Sequence, residues 1–213
     1  MASPRLMLCG VMSGSGKTTV TCGLLQTLVN RGLRTAAFKC GPDYIDPMFH
    51  ATVIGAKTGN LDGFFTGPER LRYLLARESA GMDISILEGV MGYYDGMTFG
   101  SETASSYEVA KTLKTPVILV VGCRGMSLSV LAVIKGMMEF RKDSQIRGII
   151  LNRVSSMLYP RMKKMIEKGL REMGLEAQVV GYIPEDDVFG LESRHLGLVT
   201  PDEISGLKEK MKR

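Results

Sequence analysis

Apolar positions along this chain alternate between two rhythms. Short, nearly unbroken apolar runs occur at residues 5–10, 35–39, 83–87, 117–121, 146–151 and 178–183. Runs of that length and density read as strands buried on both faces. Between them the apolar residues recur every three to four positions. Residues 17–30 place Val20, Leu24, Leu28 and Val29 on one helical face, and Gly32 stands just past the end. Further helices are predicted over 68–79, with Pro68 in the first turn, and over 103–113, 127–140 and 159–173. Residues 40–67 break the rhythm. They are polar and punctuated by Gly and Pro, and they read as one long loop, a length that usually serves function. Strands alternating with helices predict an α/β fold, a parallel sheet with helices on both faces. Ligands of such sheets lie at the C-terminal strand ends. Those ends carry residues 10–18, 39–46, 88–95 and 123–125, with Asn152 and Pro184.

Composition changes this picture little. With 213 residues, 45% of them hydrophobic and 23% charged, the chain reads as one globular domain. The fifteen Met read as adaptable core filler. The net charge of +5 suits an acidic substrate, but much of it gathers on Arg161, Lys163, Lys164, Lys168 and Arg171 of one helix and in the last residues. No basic run is interleaved with aromatics, so neither nucleic acid nor a membrane surface is expected as a partner. Cys9, Cys22, Cys40 and Cys123 show neither a C-x-x-C pair nor metal-ligand spacing, and buried free thiols are expected. That usage, with no signal-peptide pattern and no apolar run of membrane length, predicts a cytoplasmic protein.

The strongest local chemistry is Gly10-Val11-Met12-Ser13-Gly14-Ser15-Gly16-Lys17-Thr18-Thr19, between the first strand and the first helix. Strand, Gly-rich turn, Gly-Lys-Thr and helix is the layout of a phosphate-binding loop. Its backbone N–H groups and the helix N-terminus cradle phosphate oxygens. Lys17 is placed for the β- and γ-phosphates and the Thr18 hydroxyl for Mg²⁺. Five residues separate Gly10 from Gly16 where four are usual, and a chance Gly/Ser turn is the plain alternative.

Lys39-Cys40-Gly41-Pro42-Asp43-Tyr44-Ile45-Asp46-Pro47 follows the second strand. Its Lys and two carboxylates suit a magnesium-and-phosphate site, or else form a polar turn with an exposed ion pair. Glu88, directly after a buried strand, is placed either as a Mg²⁺-side carboxylate or as a strand-end cap.

These residues resemble a known family. The run from Lys39 to His50, Leu87-Glu88-Gly89-Val90-Met91-Gly92-Tyr93-Tyr94-Asp95-Gly96, Asn152-Arg153-Val154 and Glu192-Ser193-Arg194-His195-Leu196-Gly197-Leu198-Val199 are similar to cobyrinic acid a,c-diamide synthases, in order and over nearly the whole chain. The phosphate loop also resembles that of dethiobiotin synthetase. The resemblance implies a P-loop ATP-dependent amidoligase over residues 1–200, with 201–213 a tail or linker remnant. Such an enzyme turns the a and c carboxylates of a corrin, or the acid groups of a related tetrapyrrole, into amides with glutamine-derived ammonia. Its cofactors are ATP and Mg²⁺. By the same resemblance, Gly14, Ser15, Gly16, Lys17, Thr18 and Thr19 hold the phosphates, and Thr18, Asp46 and Glu88 organise Mg²⁺. Lys39 neutralises the moving γ-phosphoryl group, Asp43, Tyr44 and Asp95 face the substrate carboxylate, and Asn152 reads adenine.

Full-length members of that family carry a C-terminal glutaminase domain with a Cys nucleophile, and these residues supply none. The only histidines are His50 and His195, and Gly122-Cys123-Arg124-Gly125 occupies a strand-end slot, so Cys123 reads as structural. Ammonia is therefore expected from solution or from a separate glutaminase subunit. A homodimer is compatible with the apolar helix faces. Two rivals share the loop: a dethiobiotin synthetase-like ligase, and a nucleotide-switch ATPase whose signature Lys falls where this chain has Met12. A silent nucleotide-sensing domain is a third, disfavoured by intact Lys17, Thr18, Lys39 and Glu88.

Overall fold

The apolar runs form the strands they predict, and the direction of each connection decides which face its helix covers. The computed structural model describes residues 4–43, 45–185, 193–194 and 197–198. Seven strands make one parallel sheet in the order β3-β2-β4-β1-β5-β6-β7. They are β1 (Arg5–Gly10), β2 (Thr35–Cys40), β3 (Lys57–Leu61), β4 (Ile84–Glu88), β5 (Val117–Gly122), β6 (Ile146–Asn152) and β7 (Gln178–Ile183). The α/β class and the parallel sheet agree with the sequence pattern.

Parallel crossovers are right-handed, so reversing the direction of travel across the sheet changes the face that is covered. The chain first travels outward from β1 to β2 to β3. That journey places α1 (Lys17–Asn30), the short α2 (Ile45–Phe49) and a π-helical turn (His50–Ile54) on one face. It then returns through α3 (Pro68–Glu78), α4 (Ser106–Leu113), α5 (Ser129–Glu139) and α6 (Tyr159–Glu172), which cover the other. Alternate residues of each strand divide between two cores. Met7, Cys9, Phe38, Leu87, Leu119 and Ile149 meet α3 to α6. Leu8, Ala37, Ile86 and Val120 meet α1, Phe49 and Ile54. The chain leaves β1 on the outward journey and leaves its neighbour β4 on the return, so their helices α1 and α4 lie on opposite faces and the crevice above the C-terminal ends of β1 and β4 is the place for a ligand.

The expected loop over 40–67 is where the structure differs most. It contains α2, the π-helical turn and the edge strand β3. The strand escaped the hydrophobic pattern because Lys57-Thr58-Gly59-Asn60-Leu61 pairs only with β2 and buries one apolar residue fully, Leu61. The fourth helix starts at Ser106 rather than 103, because Ser105 caps it by accepting the Glu108 N–H at 3.2 Å.

All four cysteines are free and buried. No helix among the described residues is long and apolar enough to cross a membrane. Late in the chain β8 (Ser193–Arg194) and β9 (Gly197–Leu198) form a short antiparallel ladder, with β9 beside α2. Glu192, His195, Leu196, Val199 and the tail 201–213 lie outside the described residues, as does Tyr44.

Candidate nucleotide site

The loop between β1 and α1 is wound as its glycines require. Gly16 sits at φ +94°, in the left-handed region, and a Cβ there would lie 2.1 Å from the Asn152 side-chain nitrogen. Only Gly permits both that conformation and that approach. Asn152, the last residue of β6, uses the opening to donate from Nδ2 to the Ser15 carbonyl at 2.9 Å. Its Oδ1 accepts the Arg153 N–H at 3.0 Å. Ser15 ties the loop internally, its hydroxyl donating to the Met12 carbonyl at 2.7 Å and accepting the Met12 N–H at 3.1 Å. Helix α1 has no side-chain cap and no acidic residue in its first turn, which holds Thr18 and Thr19. The positive end of the helix thus has no acidic residue of its own beside it, which suits an anion there.

Lys17 is buried, with its ammonium on two carbonyls, Met12 at 3.1 Å and Met91 at 2.6 Å. Burial pushes its pKa down, the nearby Lys39 charge pushes the same way, and the net shift is downward despite Glu88 and Asp95. Asp95 itself is exposed; its Oδ2 accepts the Gly92 N–H at 2.9 Å in a tight turn.

Register builds the second half of the site. Lys39 on β2 and Leu8 on β1 both stand opposite Glu88, at the end of β4 between them. Glu88 Oε1 accepts from the Thr18 hydroxyl at 2.6 Å and from Lys39 Nζ at 2.7 Å. Lys39 also donates to Asp46 Oδ2 at 2.5 Å and lies 3.9 Å from Asp43. Lys39, Asp46 and Glu88 are all buried. Burial alone would lower the Lys39 pKa, yet Glu88 and Asp46 hold it well above the ordinary lysine value. Burial likewise drives the Glu88 carboxyl up, and the charges of Lys39 and His50 with the Lys39 and Thr18 hydrogen bonds bring it below its ordinary value.

The structure therefore brings Lys17, Thr18, Lys39, Asp43, Asp46 and Glu88 into one connected group, with Asp95 close enough to act on Lys17 and Asn152 attached through Ser15. Sequence reasoning missed three supports. Asn60 donates to the carbonyls of Gly41 at 3.1 Å and Asp43 at 2.6 Å, fixing the loop that carries Asp43. Ser106 accepts the Val90 N–H at 2.9 Å, which anchors the chain just after Glu88. His50 stands beside Glu88 with its Nε2 3.9 Å from Oε2. Ser106 lay inside a predicted helix and offered no local clue; His50 and Asn60 lay in the stretch read as loop.

The donor set fits a metal–nucleotide complex better than a free metal. The Thr18 hydroxyl and the Glu88 Oε1 adjoin at the loop, 2.6 Å apart. Among the described residues no group of three or more His, Cys, Asp and Glu could hold a metal alone. Mg²⁺ is commonly held this way, by one or two protein oxygens plus phosphates.

Residues 6–199 match the model of the CobQ/CobB/MinD/ParA nucleotide binding domain. The chain belongs to that family. Within it, hydrogenobyrinate a,c-diamide synthase of Streptomyces coelicolor is 46% identical over 155 residues, 73% of this chain and 32% of that protein. Cobyrinate a,c-diamide synthase of Priestia megaterium is 39% identical over 187 residues, 88% of this chain and 40% of that protein. The chain thus spans 32–40% of the length of these two relatives. Of solved structures, chloroplast FtsY from Physcomitrella patens aligns with a TM-score of 0.58 at 16% identity, over 83% of this chain and 58% of that one, a likeness of fold. The family description accounts for the open helix end and the phosphate loop: this is a nucleotide-binding domain.

Proposed function

We propose that this domain uses ATP and Mg²⁺ to activate carboxylates of a tetrapyrrole polycarboxylate for amidation, cobyrinate or hydrogenobyrinate being the first candidates. The observation that carries the reading is the joined network Thr18–Glu88–Lys39–Asp46 beside the phosphate loop, together with the names of the relatives to which the chain is similar. A carboxylate does not react with ammonia unless its oxygen becomes a leaving group. Attack of a carboxylate oxygen on the γ-phosphorus, with loss of ADP, gives an acyl phosphate. Ammonia then attacks the acyl carbon, the C–O bond to phosphate breaks, and the nitrogen gives up a proton.

The protein's work in such a reaction is positioning and charge neutralisation. Lys17 leaves the carbonyls of Met12 and Met91 for phosphate oxygens. Lys39, kept charged by Asp46 and Glu88, faces the anion that moves. Thr18, Glu88 and Asp46 would hold Mg²⁺, which supplies charge neutralisation across the phosphates. Asp43, Tyr44 and Asp95 receive the substrate side. Asn152, already on the loop, reads the base. Residues 1–200 make up the ATP-dependent unit and 201–213 its tail, with ammonia free or delivered by a glutaminase; buried free thiols suit the cytoplasm.

The test is ADP release with Mg-ATP, cobyrinate and ammonium, with product mass read in parallel. The expected result is ADP release stimulated by the substrate and a product carrying one or two amides. Lys17→Ala should lower the rate at least about a hundredfold, the scale for loss of one charge-stabilising donor. No stimulation with either cobyrinate or hydrogenobyrinate would sink the corrin assignment.

A further inference from the structure

The Glu88 carboxylate is used on one side only. Oε1 accepts from Thr18 and Lys39, while Oε2, fully enclosed, accepts from nothing. Opposite it at 3.9 Å stands Nε2 of His50, equally enclosed and equally without a partner. A buried polar atom left unpaired costs about 1–3 kcal/mol, and native interiors leave few of them. These two face each other across a gap about 1 Å too long for a hydrogen bond, so a small movement satisfies both.

The ring is held for that role. His50 opens the π-helical turn, a rare element that recurs at functional sites. Phe49 beside it is buried and meets the imidazole edge-on, centroids 6.4 Å apart. A ring nitrogen facing a carboxylate oxygen must carry a proton, because two lone pairs would repel.

We propose that His50 is the positioning residue of Glu88, donating Nε2–H to Oε2 and so keeping Oε1 turned toward Thr18. This rests on reading Glu88 as the carboxylate on the metal side of the nucleotide. Without a donor behind it, Oε2 can swing toward Lys39, whose ammonium has donors to share. The carboxylate then turns away from the Thr18 hydroxyl that has to cooperate with it. With His50 in place, Lys39 stays divided between Asp46 and Oε1, as the structure has it.

Ring-nitrogen NMR on ¹⁵N-labelled protein tests this directly. The chain has two histidines, His50 and His195, so His195→Gln leaves a single imidazole to observe. The expected spectrum has Nε2 protonated, with resonances that move in Glu88→Gln. Protonation at Nδ1 alone, or a spectrum indifferent to Glu88→Gln, overturns the proposal.

A second readout is the Mg²⁺ dependence of binding a fluorescent ATP analogue. His50→Ala should raise the half-saturating Mg²⁺ concentration about tenfold or more, as loss of a partner behind a metal ligand does. His50→Gln, whose amide N–H reaches nearly as far, should recover most of that at an unchanged melting temperature. No change in His50→Ala, or equal loss in both variants, overturns the assignment. If His50→Ala does not fold, the tautomer measurement on the folded parent decides alone. Neither readout needs a carboxylate substrate. Failure here leaves the amidation reading standing, and failure of amidation with these readouts intact counts against that reading only.

Discussion

Two buried lysines at this site differ in what they balance. Lys17 rests on neutral carbonyls, so until an anion arrives its charge is balanced only by the fields of Glu88 and Asp95, not by a bonded partner of opposite charge. Lys39 is bracketed by Asp46 and Glu88, so it holds the interior together whether or not a nucleotide is bound. Lys39→Met should therefore destabilise by about 3–5 kcal/mol in urea unfolding, the cost of stranding buried partners. Its pH dependence should also change sign. In the parent, the net pull of Lys39 on Glu88 lowers the carboxyl pKa, so the unfolded chain binds more protons and stability falls as pH drops from about 6 to 4. In the variant, burial is left as the dominant influence and raises that pKa. The folded chain then binds more protons, and stability rises over the same range. Two parallel curves would show that Lys39 does not hold Glu88 ionised.

Elements were legible from the sequence wherever local requirements are strict. The phosphate loop needs Gly at Gly16 for its backbone and a Lys-Thr pair for its ligand, and both stand at fixed spacing after an apolar strand. The central strands are buried on both faces and read as apolar runs. What escaped depends on partners distant in sequence. Strand β3 is an edge strand with a polar sequence, and only its register, Lys39 opposite Asn60, brings Asn60 under the Gly41–Asp43 loop. His50 acquires meaning only once β4 brings Glu88 beside it. The start of α4 illustrates the intermediate case. Ser105 three residues before Glu108 is a capping pattern visible in the sequence, yet the helix period alone placed the start at 103. The Ser105 side chain accepts the Glu108 N–H, and Glu108 Oε2 accepts the Ala104 N–H at 2.6 Å. Ser105→Ala should cost about 1 kcal/mol in urea unfolding. It should leave nucleotide affinity unchanged, because the contact that fixes the Glu88 end of β4 comes from Ser106. A loss of affinity matching the loss of stability would mean that the cap itself positions the site.

Across the whole molecule, the cysteines report on how the sheet is closed. Cys9 ends β1's apolar run, Cys40 ends β2, Cys22 faces inward from α1, and Cys123 follows β5. Burial pushes the Cys123 thiol up to about 11 and Cys40 to about 12, and it raises Cys9 and Cys22 well above the usual thiol value. At pH 8 the Cys123 thiolate fraction is roughly one in a thousand, and the thiolate is the form that reacts. A glutaminase nucleophile has the opposite character, an exposed thiol made acidic by a neighbouring base. Native protein at pH 8 should therefore leave all four thiols unlabelled by a disulfide reagent within minutes, and unfolding in urea should release all four. Because three of them lie in or beside the central strands and one lies in the helix packed on them, they should become reactive together with the global transition. Rapid labelling of Cys123 alone in the native state would reveal an activated thiol at the end of β5 and would overturn the reading of Cys123 as structural.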